Sequence, residues 1–305
     1  MRDTFAKRLA ELAAADDRIM FITGDLGFGV FEQFQRDFPG QYLNAGVAEQ
    51  NMIALASGLA LEGRVAFAYS IGNFPVLRCL EQIRNDAAYH DANVKVVSIG
   101  GGFSYGSLGI SHHATEDIAV MRAIPNVQAF TPGTLSDVVN SVDALVATPG
   151  TGYLRLDKSQ GSDVEGAGAF EVGAWRVMAE GSDVTLVACG GILGEAQGAA
   201  TLLAADGISA RVVDATQVTG IGPDAVRQAL GNAPLVVTME EHVTRGGLTG
   251  LVAEVMATSG MRALLRPRGI DGDFMSEVGS QAYLRTRVGL DAVATAEFVR
   301  VELGA

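Results

Sequence analysis

Residues 184–207 read VTLVACGGILGEAQGAATLLAADG, an apolar run that ends in two glycines and leads into an alanine-rich segment. Short continuous apolar runs of this kind suit strands that are buried on both faces of a parallel sheet. The segment that starts at Leu193 is predicted to be a helix, and Gly207 is well placed as its C-cap. A strand followed by a helix is the repeating unit of an α/β protein.

The alternation of strand and helix continues on both sides of this unit. Further apolar runs, each bounded by Gly or Asp, lie at 19–25, 94–102, 127–133, 152–157, 210–215 and 234–241. Helix-like segments separate some of these runs; one of them, at 4–17, places Phe5, Leu9 and Leu12 at helical spacing. The pattern predicts an α/β fold class with mostly parallel sheets.

One break in the pattern divides the chain. Residues 158–175, KSQGSDVEGAGAFEVGAW, lack a strand or helix period and are rich in Gly and Ser. We therefore predict two α/β domains, at 1–160 and 182–305, joined by a linker at 161–181.

Composition and charge argue against several classes of protein. The 305 residues carry a net charge of -13 without a cluster of Lys and Arg, which argues against binding to nucleic acid or to an anionic membrane. The start of the chain lacks the apolar core of a signal peptide, and no later run approaches the ~20 apolar residues of a membrane span. The two cysteines, Cys79 and Cys189, lie far apart and suggest no disulfide framework. We predict a soluble cytoplasmic protein.

Candidate site residues follow the predicted strands, because ligands of open α/β sheets bind beyond the carboxyl ends of the strands. They include Asp25, the loop at 100–113, and Glu49, which precedes a helix-like segment at 51–63. A carboxylate costs free energy to desolvate unless a partner compensates it. Since a helix N-terminus favours negative charge, Glu49 is either an ordinary first-turn acid or a site residue, and its own segment leaves both open.

The other candidates are weak when each is read alone. The loop at 100–109 contains neither GxGxxG nor GK[ST] and is typical of a glycine-rich turn. His112 and His113 are too few ligands for a metal, so we predict no metal site in this chain. Phe74 by itself would be a core aromatic residue.

Taken together and in order, these segments resemble the transketolase family. The resemblance rests on blocks such as YLNAGVAEQNMIALASGLALEG, AFAYSIGNFPVLRCLEQIR and GYLRLDKSQG, and it covers nearly the whole chain. AEQNM at 48–52 and SHHATED at 111–117 are its most specific parts. It implies the pyrimidine-binding domain and the C-terminal domain, which form the second half of a transketolase.

The resemblance also implies a cofactor and a partner. In the family, the other half carries a Gly-Asp-Gly segment and a downstream Asn that bind the diphosphate and Mg²⁺, and no such Gly-Asp-Gly occurs here. The chain therefore resembles one subunit of a split transketolase. We expect thiamine diphosphate as cofactor, Mg²⁺ held by a diphosphate-binding partner subunit, and an α2β2 assembly.

Family roles are carried over to five residues around the cofactor. Glu49 would hydrogen-bond N1′ of the aminopyrimidine and, by sharing a proton with it, promote the imino form of the 4′-amino group that takes the proton from C2. Phe74 would stack on the pyrimidine ring, with Ile71 beside it in place of a second aromatic residue. Asp25 aligns with an acid near the same ring, and His112 with the His that contacts the donor's hydroxyl group.

The positions that hold the acceptor depart from the family pattern. Arg2 and Lys158 align with basic residues for the acceptor's phosphate, although family members commonly have Arg where Lys158 stands. Leu108 replaces an Asp that reads a substrate hydroxyl. Gly100 replaces a His and Gly29 replaces a Ser of the phosphate site. We therefore expect the reaction type to be kept and the pentose-phosphate substrates to be changed.

The expected function is transfer of a two-carbon ketol unit from a ketose or ketose-phosphate donor to an aldehyde acceptor. Three alternatives remain. The chain could be the β subunit of a 2-oxoacid dehydrogenase, although the usual HSQ-type segment is absent, or it could resemble 1-deoxyxylulose-phosphate synthase, which is ordinarily one full-length chain. It could also be a non-catalytic, partner-binding relic of the fold.

Overall fold

The computed structural model describes residues 1–272 and 274–305, and within these residues eleven strands form two sheets. The strands of the first sheet, β1 to β6, are Ile19–Thr23, Tyr42–Asn44, Val65–Ile71, Val94–Ile99, Val127–Phe130 and Thr151–Leu156. The strands of the second sheet, β7 to β11, are Arg176–Ala179, Val184–Cys189, Ala210–Asp214, Leu235–Val243 and Leu264–Ile270.

Helices connect the strands and cover the sheets. The α-helices α1 to α11 are Arg2–Ala15, Glu32–Asp37, Glu49–Leu61, Leu80–Gln82, Asp117–Ala123, Leu135–Ala147, Leu193–Ala205, Pro223–Leu230, Leu248–Ser259, Gln281–Arg287 and Ala292–Leu303. The short α4 continues into a π-helical turn at Ile83–Ala88. None of the helices in the described part of the chain is long and apolar enough to cross a membrane.

The first sheet has the order β2-β1-β3-β4-β6-β5, and all its neighbouring strands are parallel. Its longer strands are buried along almost their whole length, as their continuous apolar sequence predicts. Because parallel strands end at the same edge, the segments that follow β1 to β4 meet there. These segments are 24–31, 45–48, 72–79 and 100–113.

The second sheet has the order β11-β10-β8-β9-β7, with β7 antiparallel to β9 and the other pairs parallel. The prediction of two mostly parallel α/β sheets is therefore confirmed. Residues 157–175 contain no helix or strand, as their lack of period indicates. Residues 176–179 lie inside the predicted linker, but they form β7 and belong to the second sheet.

Strands β2, β3, β7 and β11 were not predicted from the sequence. β2 has only three residues, too few for a period to be visible. β11 contains Pro267 between two arginines, a composition that argues against a central strand. It lies at the edge of its sheet, where a missing N–H group and partly exposed side chains are tolerated.

Candidate functional site

Glu49 is the first residue of α3, and its side chain is buried. The turn before it contains Gly46, whose φ of +74° is a conformation that favours glycine. The loop after β1 packs against the Glu49 side chain, since a Cβ atom added to Gly24 would lie 3.7 Å from Cγ of Glu49. The helix N-terminus helps to stabilise the buried carboxylate.

Arg78 joins Glu49 to Phe74. Its Nη1 donates a hydrogen bond of 2.7 Å to Oε2 of Glu49, and its guanidinium carbon lies 4.9 Å from the centroid of the Phe74 ring. The Arg78 side chain is 49% exposed, whereas that of Glu49 is only 4% exposed. Glu49 and Phe74 thus present an acceptor and an aromatic ring to one planar donor group, which enters from the solvent side.

The rings of Phe74 and His112 meet although they belong to different loops. They lie edge to face with their centroids 5.1 Å apart, and Oγ of Ser111 lies 3.0 Å from Nδ1 of His112. Burial and the neighbouring His113 lower the pKa of His112, so its imidazole stays neutral to a lower pH. Ile71 ends β3, and its carbonyl accepts a hydrogen bond of 2.9 Å from the N–H of Phe74.

Asp25 and Leu108 lie at the same edge of the first sheet, and their side chains are more exposed than that of Glu49. Asp25 has a φ of 57° and is held by Asn44, which accepts a hydrogen bond of 3.0 Å from the Asp25 N–H and donates one of 2.9 Å to its carboxylate. Leu108 is 55% exposed. Glu49, Phe74 and His112 are called the Glu49 cluster below. Asp25 follows Gly24, which packs on Glu49, so the loop that carries Asp25 borders this cluster.

His112 and His113 have different surroundings. His113 is buried with its ring edge to face against Phe103, at 5.2 Å between centroids, and its Nε2 lies 3.4 Å from the carbonyl oxygen of Gly106. Among residues 1–272 and 274–305, no group of three or more His, Cys, Asp and Glu side chains is placed to hold a metal ion.

Arg2 and Lys158 line one cavity of about 470 Å³ between the start of α1 and the end of β6. The Lys158 ammonium lies 3.8 Å from the centroid of the Tyr105 ring. That ring lies 6.3 Å from the His112 ring, so the cavity adjoins the Glu49 cluster. Gly29 does not line this cavity; it lines a neighbouring recess of about 340 Å³, which also includes Arg2.

Sequence reasoning missed two residues of this region, Arg78 and Tyr105. Arg78 follows Phe74 by four residues, and Tyr105 is an aromatic residue in a glycine-rich loop. A cation or an aromatic residue close in sequence to a candidate site residue could have indicated these two positions. Only the contact distances in the structure show that they belong to this region.

A buried network of charges holds the loop at 100–113. The carboxylate of Glu241, in β10, accepts a hydrogen bond from the N–H of Phe103. Arg155, in β6, pairs with Asp117 at 2.9 Å and donates to the carbonyl oxygens of Ala114 and Glu241 at 3.1 and 3.0 Å. Burial raises the pKa of Glu241. Since these residues come from both sheets, the second domain supports the loop that carries His112.

Comparison with known proteins identifies the family of both parts of the chain. The model of the pyrimidine-binding domain of transketolase matches residues 1–162, and that of the transketolase C-terminal domain matches residues 173–292. The chain belongs to the transketolase family. The matched ranges include every residue of the Glu49 cluster and of the Arg2 cavity.

Transketolase-family proteins of similar length resemble the chain throughout. It is 34% identical to a protein from Methanocaldococcus jannaschii described as a transketolase C-terminal section, over 99% of this chain and 96% of that protein. It is 34% identical to one of the subunits of the apulose-4-phosphate transketolase of Actinobacillus succinogenes, over 85% and 84% of the two chains. A solved split-gene transketolase, described as an inactive β4 tetramer, is 32% identical with a TM-score of 0.86, over 99% and 97% of the chains. The chain is thus a transketolase-type transferase subunit.

Proposed function

We propose that this chain is the pyrimidine-binding subunit of a split transketolase that moves a two-carbon ketol unit from a ketose to an aldehyde. Thiamine diphosphate would lie between this chain and a partner subunit, which would hold the diphosphate and Mg²⁺ in an α2β2 assembly. The observation that carries the proposal is the Glu49 cluster. Glu49 at the start of α3, Phe74 in the segment after β3 and His112 in the segment after β4 lie together at one edge of the first sheet.

The residues present fit the aminopyrimidine of thiamine diphosphate. Glu49 and Phe74 already accommodate a planar nitrogen donor, the Arg78 guanidinium, which bonds to the carboxylate and lies against the ring. An aminopyrimidine is also planar and offers the same two contacts. When bound, the cofactor supplies the carbon nucleophile that carries the ketol unit between substrates.

Glu49 would hold a proton at N1′ of the pyrimidine. Its carboxylate is buried at the start of α3, so water competes little for that proton. General acid-base catalysis by a positioned carboxyl group of this kind typically contributes ~10²–10⁴-fold to the rate. Asp25, on the bordering loop, would help to bind the same ring, and Ile71 would provide apolar contact.

His112 would contact the hydroxyl group of the donor. Because its pKa is lowered by burial and by His113, the imidazole is neutral and can donate one hydrogen bond and accept another. Its edge-to-face contact with the Phe74 ring keeps it next to the proposed pyrimidine site. It can therefore stabilise charge that develops on the substrate oxygen.

The acceptor would bind toward Arg2 and Lys158. Both cations line the 470 Å³ cavity, which suits an anionic end of the substrate. Leu108 exposes an apolar side chain, and Gly29 offers no side chain at all, so neither can supply the hydrogen bonds that the family uses for pentose phosphates. We infer an acceptor other than a pentose phosphate.

Ketol transfer is expected only when this chain is combined with a diphosphate-binding partner subunit, thiamine diphosphate and Mg²⁺. The reason is that its 305 residues contain no Gly-Asp-Gly segment for the diphosphate and metal. Aldehyde release from a ketose donor, measured with each component omitted in turn, checks this. Light scattering of the mixture tests for an α2β2 assembly. Turnover by this chain alone, purified free of any partner, would contradict the proposal.

The reconstituted pair also distinguishes the alternatives. Ketose donors with a panel of aldehydes test ketol transfer, pyruvate with glyceraldehyde 3-phosphate tests deoxyxylulose-phosphate synthesis, and a 2-oxoacid with a lipoyl acceptor tests the dehydrogenase. A partner that binds tightly while none of the three reactions occurs would favour a non-catalytic role.

Arg78→Met is expected to tighten binding of thiamine diphosphate to the assembled enzyme. In the structure the guanidinium occupies the space between Glu49 and Phe74, so it must leave before a pyrimidine can enter. Since half of the Arg78 side chain is exposed, the ion pair is weak, and we expect the Kd for thiamine diphosphate to fall by roughly 2- to 5-fold. Isothermal titration with the cofactor measures it. Weaker binding would instead make Arg78 a ligand of the cofactor.

A further inference from the structure

The ring of Tyr105 fills the space beside Gly100. A Cβ atom added to Gly100 would lie 2.3 Å from two carbon atoms of this ring, and Gly100 has a φ of +99°, which other residues rarely adopt. A side chain at residue 100 and the observed position of Tyr105 therefore exclude each other. The His that the family pattern leads one to expect at residue 100 has no room here.

Tyr105 also holds the ammonium group of Lys158. The Nζ atom lies 3.8 Å from the ring centroid, on the aromatic face. Burial, and then the nearby Arg2 cation, lower the pKa of Lys158. A cation over an aromatic face is stabilised by ~0.5–2 kcal/mol. Since a lysine side chain is long and flexible, this contact defines where its charge stands.

Among residues 1–272 and 274–305, no carboxylate forms an ion pair with the Lys158 ammonium, so within this part of the chain the cavity holds a cation that is not already neutralised. Arg2 pairs with Asp3 at 3.0 Å. Asp157, which also lines the cavity, lies 3.6 Å from Arg155 and accepts a hydrogen bond from the N–H of Gly191. Lys158 is instead held by the Tyr105 ring, which leaves its N–H donors for a ligand.

We propose that Tyr105 determines acceptor specificity by presenting the Lys158 ammonium to the terminal oxyanion of an aldehyde substrate. Two departures from the family, Gly100 and Lys158, then have one cause: the glycine makes room for the ring, and the ring positions the lysine. The distances of 3.8 and 6.3 Å from this ring place the ammonium within about 10 Å of the His112 ring, within reach of a short substrate. This inference rests on the proposed ketol transfer.

Tyr105→Leu tests this inference in the assembled enzyme. We expect the KM for a phosphorylated aldehyde to rise ~2- to 30-fold, the range that loss of a cation–π contact of 0.5–2 kcal/mol produces. The KM for a neutral hydroxyaldehyde of equal carbon number should not change, because it has no group for Lys158. Tyr105→Phe keeps the aromatic face and should restore a KM close to that of the wild type for the phosphorylated aldehyde. A sulfonate-bearing aldehyde in the same panel distinguishes a phosphate from other oxyanions.

A double-mutant cycle with Lys158→Met shows whether Tyr105 acts through the lysine. Once the ammonium is gone, Tyr105→Leu should have little further effect on the KM of the phosphorylated aldehyde. Additive effects of the two substitutions, or equal KM increases for the anionic and the neutral aldehyde, would overturn the inference.

Binding of inorganic phosphate to the full chain, measured by equilibrium dialysis, separates this inference from the proposed function. Weaker phosphate binding by Tyr105→Leu than by wild type and Tyr105→Phe supports the role of Tyr105, even if no ketol transfer is found with any acceptor. Equal binding by all three proteins would overturn it. Absence of turnover in the reconstituted wild type would contradict the proposed function but not the role of Tyr105.

Discussion

Glu49→Gln is expected to lower kcat of the assembled enzyme by ~10²–10⁴-fold, the usual contribution of general acid-base catalysis. The amide keeps the size of the side chain and can still bond to N1′, but it cannot share a proton with the ring. Steady-state turnover and exchange of the C2 proton of the cofactor for deuterium should both slow. Additional thiamine diphosphate should not restore the rate, because proton transfer and not occupancy would be impaired.

Glu62→Gln is the matched control for this substitution. Glu62 caps the other end of α3, and its side chain is exposed, so the same chemical change there should leave turnover and exchange unaltered. Partner association of Glu49→Gln should also be unchanged, because a near-isosteric amide leaves no cavity. If Glu49→Gln turned over and exchanged C2 at nearly the wild-type rate, Glu49 would be an ordinary first-turn acid.

Arg155→Met is expected to cost ~3–5 kcal/mol of unfolding free energy, the effect typical of removing one partner from a buried ion pair. Arg155 and Asp117 are both fully buried and lie 2.9 Å apart, and Asp157 is 3.6 Å from the same guanidinium. Loss of the cation leaves two buried carboxylates without their positive partner. Urea unfolding, followed by the fluorescence of the single tryptophan, Trp175, and by circular dichroism, measures the change.

Two further variants test whether the buried charge is the cause. Arg227→Met removes the same group from an exposed pair with Asp224, and it should cost less than ~1 kcal/mol. Adding Asp117→Asn to Arg155→Met removes one of the stranded charges and should recover part of the lost stability. If Arg155→Met and Arg227→Met lowered the unfolding free energy equally, the buried ion pair would stabilise the protein no more than the exposed one does.

The architecture could be predicted because its signals are local. Continuous apolar runs such as 94–102 and 184–191 bury both faces of a strand, and their alternation with helical segments requires parallel sheets. The aperiodic segment at 158–175 contains neither helix nor strand, and it separates the strands of the first sheet from those of the second along the chain. Where the local signal was short or mixed, as in β2 and β11, the strand was missed, because its place at the sheet edge depends on neighbours distant in sequence.

The sequence by itself determined the family, the α/β class, and a list of candidate residues that includes Glu49, Phe74 and His112. Only the tertiary structure decided which residues touch: Arg78 on Glu49 and Phe74, and Tyr105 against Gly100 and beneath Lys158. The reason is physical. Periodicity and composition act over a few residues along the chain, whereas an ion pair or a stacked ring depends on a few ångströms between segments that the sheet brings together.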